Sequence, residues 1–493
     1  ANPYPAKASN TPQWRGLEVY CRLTLWSNLF YDLLDADMLS PATAILVLSS
    51  IPEHAHYQRR FHSGGGNWIT MEMRGLATAA ACWPEFKDSN EWLTYATERI
   101  SPELMRQVYP DGNQKELTSH YHWVALQNFE EFADLLTRAG RPVPKKFAQT
   151  IIAMWNYLAY SLRPDGSNPL NNDSDRNDMH EIVLGKAKKF NRPDWDWIAS
   201  NGAQGQKPEG LPSVLFPWAG QLIMRSGWDA NAQWAFFDIG PAGSGHWHFD
   251  KLHLSVAAGG RDLLVDSGRF TYGGDRNFRA YFVSSRGHNT IDIDDCGQVR
   301  GDTTVGEPVA EDDCQITPDS DYAIGTYDAG YHGLEGQATH TRAVRYLRGK
   351  CWVVVDRIQT DRPRKIQTFW HYAPDCTVTN DEEGSVASTD ADKGNLRIIP
   401  ATGMNWSVDL VRGQTEPIIQ GWWSREYNQK EPATAAVYSG DIDGSKTFAW
   451  VLIPAMGDTP KATAHMSEHA DGSVTVNVDF ADGKTLTANL QLP

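Results

Sequence analysis

Across residues 14–192 the apolar positions recur at mixed spacings of three and four, the period of a helix that buries one stripe. The pattern is clearest over 17–34, 90–100, 119–139 and 145–162, and Pro41, Pro84, Pro110, Pro142 and Pro164 punctuate it where helices must stop. Several antiparallel helices joined by short loops are expected, as a bundle, a solenoid or a toroid; periodicity does not choose among these. Over 201–212 the composition turns to Gly, Gln, Pro and Ser, and beyond it the period shortens to two. Short strands are predicted over 234–239, 252–257, 262–265, 343–347, 351–358, 366–372, 448–453 and 474–478, with a hairpin turning at Arg348-Gly349-Lys350. Three regions result: a helical domain over 1–203, an antiparallel β-sandwich over 204–395 and a C-terminal β region over 396–493.

A chain of 493 residues is too long for one core, which agrees with two or three domains. Its net charge of -16 speaks against a general nucleic-acid or anionic-membrane binder, so a polyanionic substrate would need a locally basic groove. Nineteen tryptophans and eighteen tyrosines hint mildly at a carbohydrate partner, since aromatic rings stack on sugar faces as well as filling cores. Cys21, Cys82, Cys296, Cys314, Cys351 and Cys376 form no CxxC pair, and they are compatible with free thiols or with one or two bridges. No apolar run approaches the roughly 20 residues that span a bilayer, so no membrane insertion is expected. The opening Ala1-Asn2-Pro3, without methionine or an apolar leader, fits a processed or trimmed chain, and a secreted or periplasmic location is expected.

Candidate chemistry gathers at the ends of the predicted strands. Gly245-His246-Trp247-His248-Phe249-Asp250, Val265-Asp266-Ser267-Gly268 and Arg286-Gly287-His288-Asn289 are separated by apolar runs. On an extended segment His246 and His248 would share a face. With Asp266 and His288 they offer the nitrogen and oxygen donors that a divalent transition metal such as zinc prefers. Taken singly, the histidines read equally as hydrogen-bonded core residues and Asp-Ser-Gly as a turn. In the helical half, Gly64-Gly65-Gly66-Asn67-Trp68 leaves an amide at a helix start, where an N-cap is the ordinary role. Further on, 111–122 leads from an Asp-Gly turn into a helix that begins with Tyr121 flanked by His120 and His122.

The order Gly66-Asn67-Trp68, Trp83-Pro84-Glu85-Phe86-Lys87-Asp88-Ser89, Asp111-Gly112 with Leu117-Thr118-Ser119-His120-Tyr121-His122, then the three β-half clusters, resembles the heparinase II/III-like polysaccharide lyases over roughly 60–375. That superfamily includes heparinases and several alginate lyases. The resemblance implies an α+β multidomain fold, an N-terminal incomplete α/α toroid followed by an antiparallel β-sandwich and a C-terminal β-sheet region. It places a carboxylate-neutralising amide on Asn67, a catalytic tyrosine on Tyr121 and a catalytic histidine on His246. It places the ligands of a divalent metal, zinc by donor type and mainly structural, on His248, Asp266 and His288. Trp68 stands where relatives often have histidine, and His62, His120 or His122 is expected to stand in, with His120 and His122 the nearer accessories to Tyr121. Trp68, Trp247, Arg269 and Tyr272 are expected to meet substrate, an acidic polysaccharide.

The implied reaction removes the C5 proton of a uronate and expels the C4 oxygen. Abstraction builds a second charge beside the carboxylate, so an amide donor lowers the barrier as oxyanion donors do. A base and an acid complete the step. If proton and leaving group share a sugar face, Tyr121 can do both jobs; on opposite faces, His246 is base and Tyr121 acid. The substrate expected from the acidic balance is alginate or an unsulfated or low-sulfate glucuronate polymer or glycosaminoglycan. Two alternatives remain: a glycoside hydrolase using Glu72, Glu85 or Glu116 with Asp250, and a non-catalytic glycan-binding protein.

Overall fold

The computed structural model describes residues 3–492. The chain forms two units, one built from residues up to Gln114 together with His122–Trp155, the other from Lys115–Tyr121 together with Asn156 onward. The first unit holds α1 (Gly16–Asp35), α2 (Pro41–Arg60), α3 (Gly66–Cys82), α4 (Ser89–Gln107) and most of α5 (Ser119–Arg138) and α6 (Lys145–Ser161). Ser40 caps α2 by accepting from the Thr43 N–H at 3.1 Å, with Pro41 in the first helical position. Gly75 lets α3 lie against α1, since a Cβ there would sit 3.1 Å from Tyr20 Cα. The helix expected over 90–100 runs on through Pro102 to Gln107.

In the second unit, α7 (His180–Phe190) and α8 (Pro193–Ala199) precede the sheets, and α9 (Arg276–Val283) interrupts them. Five strands, Val214–Phe216, Gln221–Arg225, Trp234–Asp238, Leu254–Ala258 and Arg261–Leu264, form an antiparallel sheet in sequence order. An eight-stranded sheet has Lys446–Met456, Cys351–Thr360 and Ala338–Leu347 side by side at its centre. A four-stranded sheet joins Ser407–Arg412, Thr434–Ile442, Arg364–His371 and Ile291–Ile293.

The apolar runs 351–355 and 449–453 follow from the eight-stranded sheet being covered on both faces. Trp352, Val354, Trp450 and Leu452 face one core with Leu254, Val256, Leu264, Trp370 and Tyr438. Val353, Val355, Val451 and Ile453 face another with Val474, Val476 and Val478 of the terminal sheet Ala462–Glu468, Val474–Phe480, Thr485–Leu490. Alternation along a strand sends neighbours to opposite cores, and each large side chain so buried contributes roughly 1.5–3 kcal/mol.

Some expectations are relocated. The strand pairing and the hairpin hold, Val344 opposite Val354. The boundary expected at 203/204 falls in the loop after α8, while the compact units divide between Trp155 and Asn156 within α6; near that point Asn156 accepts from Arg192, which also pairs with Asp194. Residue 395 does not divide domains, because Lys446–Met456 lies between Gly394–Pro400 and Cys351–Thr360 in one sheet; among the described residues beyond it, the pair Trp422–Trp423 with Glu431–Pro432 and the terminal three strands form sheets of their own. All six cysteines are free thiols. No helix among the described residues is long and apolar enough to cross a membrane.

One polar cluster sits inside the sandwich. Arg342 is wholly buried and donates from Nε to Asp356 Oδ1 at 2.7 Å, the residue opposite it across the strands. His340 and Trp450 also donate to Asp356, at 2.7 and 3.0 Å. Burial alone would raise the Asp356 carboxyl, but the Arg342 charge and the His340 bond bring it down to about 2. Arg342 Nη1 has two further acceptors, the carbonyls of Leu252 at 2.9 Å and Asn289 at 2.6 Å. The segments that carry His248 and His288 are thereby tied to the sandwich core.

Candidate active site

Four loops of the second unit converge. The first, Lys115–Tyr121, enters α5 through Leu117, whose φ is +56°. Gly243 (φ +102°) allows the second loop to pass against it, because a Cβ there would lie 2.4 Å from the Glu116 carbonyl oxygen. The Ser244 N–H donates to the Lys115 carbonyl at 2.8 Å. The third loop, 171–175, stitches the first two together. Asn172 donates from Nδ2 to the Leu117 carbonyl at 3.0 Å and accepts at Oδ1 from the His248 N–H at 2.8 Å. Asn171 also donates to the Leu117 carbonyl, at 2.6 Å, and the Asp173 N–H to that of His246, at 3.1 Å. The fourth runs from Asp266 through α9 to Asn289.

His246 and His248 do not lie on a strand. His246 has φ +56°, a left-handed conformation that costs a side-chain-bearing residue about 1–2 kcal/mol, and it turns the two imidazoles in different directions. The His246 ring stacks on Tyr121 with centroids 3.7 Å apart and planes at 14°. Its Nδ1 lies 2.9 Å from Glu116 Oε2. A carboxylate takes the Nδ1 proton in such a bond, which leaves Nε2 as the basic nitrogen. Burial raises the Tyr121 phenol above its ordinary value, only partly offset by its 2.8 Å bond to Tyr272 and by Arg269. Tyr121 therefore holds its proton at neutral pH and is a donor.

His248 turns inward. Its Nε2 donates to Asp173 at 2.9 Å, and Arg279 donates to the same carboxylate at 2.6 and 2.9 Å. Burial would raise Asp173, but the His248 and Arg279 interactions outweigh it and hold the carboxyl at about 2. His248 Nδ1 faces His288 Nε2 at 3.1 Å, while His288 Nδ1 donates to the Ser284 carbonyl at 2.7 Å. With both outer nitrogens committed, two lone pairs meet, an arrangement that a shared proton or a cation must relieve. Ligands about 2.0–2.1 Å from a tetrahedral zinc lie about 3.3 Å apart, so this spacing and the hydrogen-bonded outer nitrogens fit a divalent ion.

Among the described residues, the three whose donor atoms all lie within 4.8 Å of one another are His248, Asp250 and His288. Asp266 Oδ1, expected as a ligand, is 3.5 Å from His288 Nε2 and also accepts from the Gly268 N–H at 2.9 Å. Asp250 thus joins the expected set.

A helical half, an antiparallel β half and a phenol stacked on a carboxylate-backed imidazole define a polysaccharide lyase, a carbon-oxygen lyase working by β-elimination. The family description heparinase II/III N-terminus matches residues 1–194, and heparinase II/III-like, C-terminal, matches 208–451. The chain belongs to the heparinase II/III family. It is similar to a heparin-sulfate lyase of Pedobacter heparinus, 26% identical over 490 residues that cover 97% of this chain and 70% of the relative. A heparin-sulfate lyase of Bacteroides thetaiotaomicron is 25% identical over 531 residues, covering 100% and 72%. Among solved structures, heparinase III superposes with a TM-score of 0.82 at 22% identity, covering 100% of this chain and 77% of that one. The heparan sulfate lyase HepC from Pedobacter heparinus gives 0.79 at 24% identity, covering 99% and 76%. The expected fold class, helical toroid type followed by antiparallel β, is the fold of these structures.

The remaining expected residues divide. His120 lies on the Tyr121 side, its Nδ1 3.8 Å from Asp175, and burial lowers its pKa, with Arg269 adding to the effect. His122 is 1% exposed, with Nε2 3.0 Å from the Met154 carbonyl and Nδ1 accepting from the Gln114 N–H, and burial lowers it to about 4. Both of its ring nitrogens are thus engaged by backbone groups, the position of a packing histidine. His62 is held by the Ser63 carbonyl and Tyr95 within the helical unit. Asn67 is not the N-cap of α3; that position is Gly65, and Asn67 belongs to the first turn. Trp68 is 44% exposed with the Arg15 guanidinium 5.7 Å over its ring.

Trp247 packs on Phe249 at 5.1 Å and under Arg300 at 5.1 Å. Arg269 is held by Asp175, Nε to Oδ1 at 2.7 Å. Glu72 is buried against Ser63, and Asp250 faces His288, so neither is placed as a hydrolase carboxylate. Two contributors escaped the sequence: Glu116 as the partner of His246, and the Asn171-Asn172-Asp173 loop. Glu116 was visible as a carboxylate within the Tyr121 motif; the loop had only the composition of a turn.

Proposed function

We propose that the chain cleaves a glucuronate-containing glycosaminoglycan of low sulfation by syn β-elimination, with Tyr121 as acid and with His246 as base even though proton and leaving group share a face, because the stack brings both rings to that face. The observation that carries this is the 3.7 Å stack of Tyr121 on His246. Rings in contact leave no room for a pyranose between them, so base and acid approach the sugar from one side. D-glucuronate presents its C5 hydrogen and C4 oxygen on the same face, as that geometry requires. His246 Nε2 takes the C5 proton while Glu116 holds the Nδ1 proton, and Tyr121 protonates the departing C4 oxygen. The relatives named heparin-sulfate lyase support a glycosaminoglycan as the polymer class. Low sulfation is supported by the neutralisation of the nearby cations, Arg269 by Asp175 and Arg279 by Asp173.

His248, Asp250 and His288, with Asp266 beside them, would hold a divalent ion, for which zinc is the best match by donor type. Bound there, it would tie the loops together. The carboxylate-neutralising role of Asn67 stays as the family resemblance implies it.

The test is a panel of heparan sulfate of low sulfation, heparin and alginate, followed by ultraviolet absorbance of the unsaturated uronate. Absorbance should rise fastest with the first, and Tyr121→Phe should abolish it without lowering Tm. A Tyr121→Phe variant with near-normal turnover removes the assignment.

A further inference from the structure

The Tyr121 phenol is not the end of its hydrogen-bond chain. Its oxygen lies 2.8 Å from that of Tyr272, and Arg269 Nη1 donates to the Tyr272 oxygen at 3.3 Å. A guanidinium has donors and no acceptor. The sense is thereby fixed at one end: Tyr272 accepts from Arg269, and its own O–H can be given to Tyr121. Asp175 locks Arg269 through two parallel bonds, from Nε to Oδ1 at 2.7 Å and from Nη2 to Oδ2. Arg279 lies over the Tyr272 ring at 5.2 Å and Arg269 at 5.5 Å, so two cations face the phenol that reaches Tyr121. Tyr272 is also 47% exposed, which connects the more buried Tyr121 to solvent.

We propose that Tyr272 is a positioning residue for the acid: its O–H meets the negative oxygen left on Tyr121 and returns a proton to it from water between turnovers. This rests on Tyr121 being the acid. It replaces the substrate contact expected of Tyr272 from the sequence with a contact to the catalytic residue. In the elimination the C5–H bond breaks and its proton goes to His246 Nε2. The electron pair forms the C4–C5 double bond as the C4–O bond breaks, and the leaving oxygen takes the Tyr121 proton. The Tyr272 proton then moves to the Tyr121 oxygen, water reprotonates Tyr272, and His246 releases its proton to water, so no proton is gained or lost overall.

A donor aimed at a developing oxyanion is worth about 10²–10³ in rate in an enclosed site. Here the donor is half exposed and water can partly replace it, so the expected loss is about tenfold to a hundredfold.

The experiment compares wild type, Tyr121→Phe and Tyr272→Phe over pH on heparan sulfate of low sulfation, with Tm recorded for each. Tyr121 is faced by Glu116, His120, Asp173, His246, Arg269 and Tyr272, and only the last is changed. Tyr272→Phe should keep Tm and KM, lose kcat by the factor above, and move the alkaline limb of the kcat profile upward, because Tyr121 surrenders its proton less readily. Wild-type kcat with an unmoved alkaline limb overturns the proposal, as does a loss expressed in KM, which marks a substrate contact. Activity in Tyr121→Phe overturns the assignment of the acid itself, and is read in that variant separately.

Discussion

Replacing Glu116 by glutamine isolates the charge behind His246. Glutamine keeps the length and an oxygen that can accept from Nδ1, so geometry is preserved while the negative charge is removed. As His246 takes the C5 proton it becomes a cation whose ring edge is 2.9 Å from Glu116 Oε2. Two unit charges about 4 Å apart at an effective dielectric of about 20 attract by about 4 kcal/mol. The His246 and Glu116 side chains are 32% and 14% exposed, so water screens part of this. A hydrogen bond to a charged group is worth about 1.5–3 kcal/mol, and about 2 kcal/mol is a fair value here. That converts to a fall in kcat of about thirtyfold. Initial rates of unsaturated-uronate absorbance at saturating heparan sulfate give kcat, and their concentration dependence gives KM. KM should stay within about twofold, since the charge on His246 exists only in the transition state. A kcat within about twofold of wild type would mean that His246 is not the base or that Glu116 does not assist it.

The sandwich cluster makes a sharper stability prediction. Arg342→Met leaves the buried Asp356 without its main counter-charge and should cost about 3–5 kcal/mol in urea unfolding, whereas Arg342→Met with Asp356→Leu should recover much of it; additive losses would refute the pairing. Glu72 predicts a pH dependence of opposite sense to the usual carboxylate. Burial raises it to about 7 despite its bonds from Ser63. The unfolded chain then loses this proton first as pH rises above about 4.5, and wild type should lose about 3 kcal/mol relative to Glu72→Gln by about pH 7.5. A constant gap between the two across that range contradicts it. Removing a metal should lower Tm with the loss of roughly one equivalent of zinc by elemental analysis, and His288→Ala should contain none; full metal content in that variant would move the site elsewhere.

Much of the fold was legible because its signals are local. The helical stripes, the Arg348-Gly349-Lys350 hairpin and the two-sided apolar strands follow from period and turn chemistry. The separate tasks of His246 and His248 came from family resemblance; the period of an extended strand would have put both on one face. What undid that period is the left-handed backbone at His246, which no single-residue preference announces. Asn171, Asn172 and Asp173 look like solvent-facing turn residues, yet each is buried because its partners arrive from loops about 55–75 residues away. The Gly- and Pro-rich stretch near 204 marks where helices give way to strands, whereas the compact units part earlier, between Trp155 and Asn156 within α6, because packing contacts rather than bends decide which residues cluster. Asp250 entered the sequence reading only as a candidate hydrolase carboxylate, because the family resemblance places the ligands on His248, Asp266 and His288.

The backbone at His246 has a consequence for any attempt to improve the protein. Glycine or asparagine would adopt φ +56° at less cost, so a sequence optimised for folding alone would not place histidine there. Position 246 is thus a point of trade-off between stability and activity: substitutions that relax it should raise Tm and extinguish turnover together. Stabilising changes are better sought on α1 and α2, where Leu25, Ile45 and Leu46 are more than half exposed.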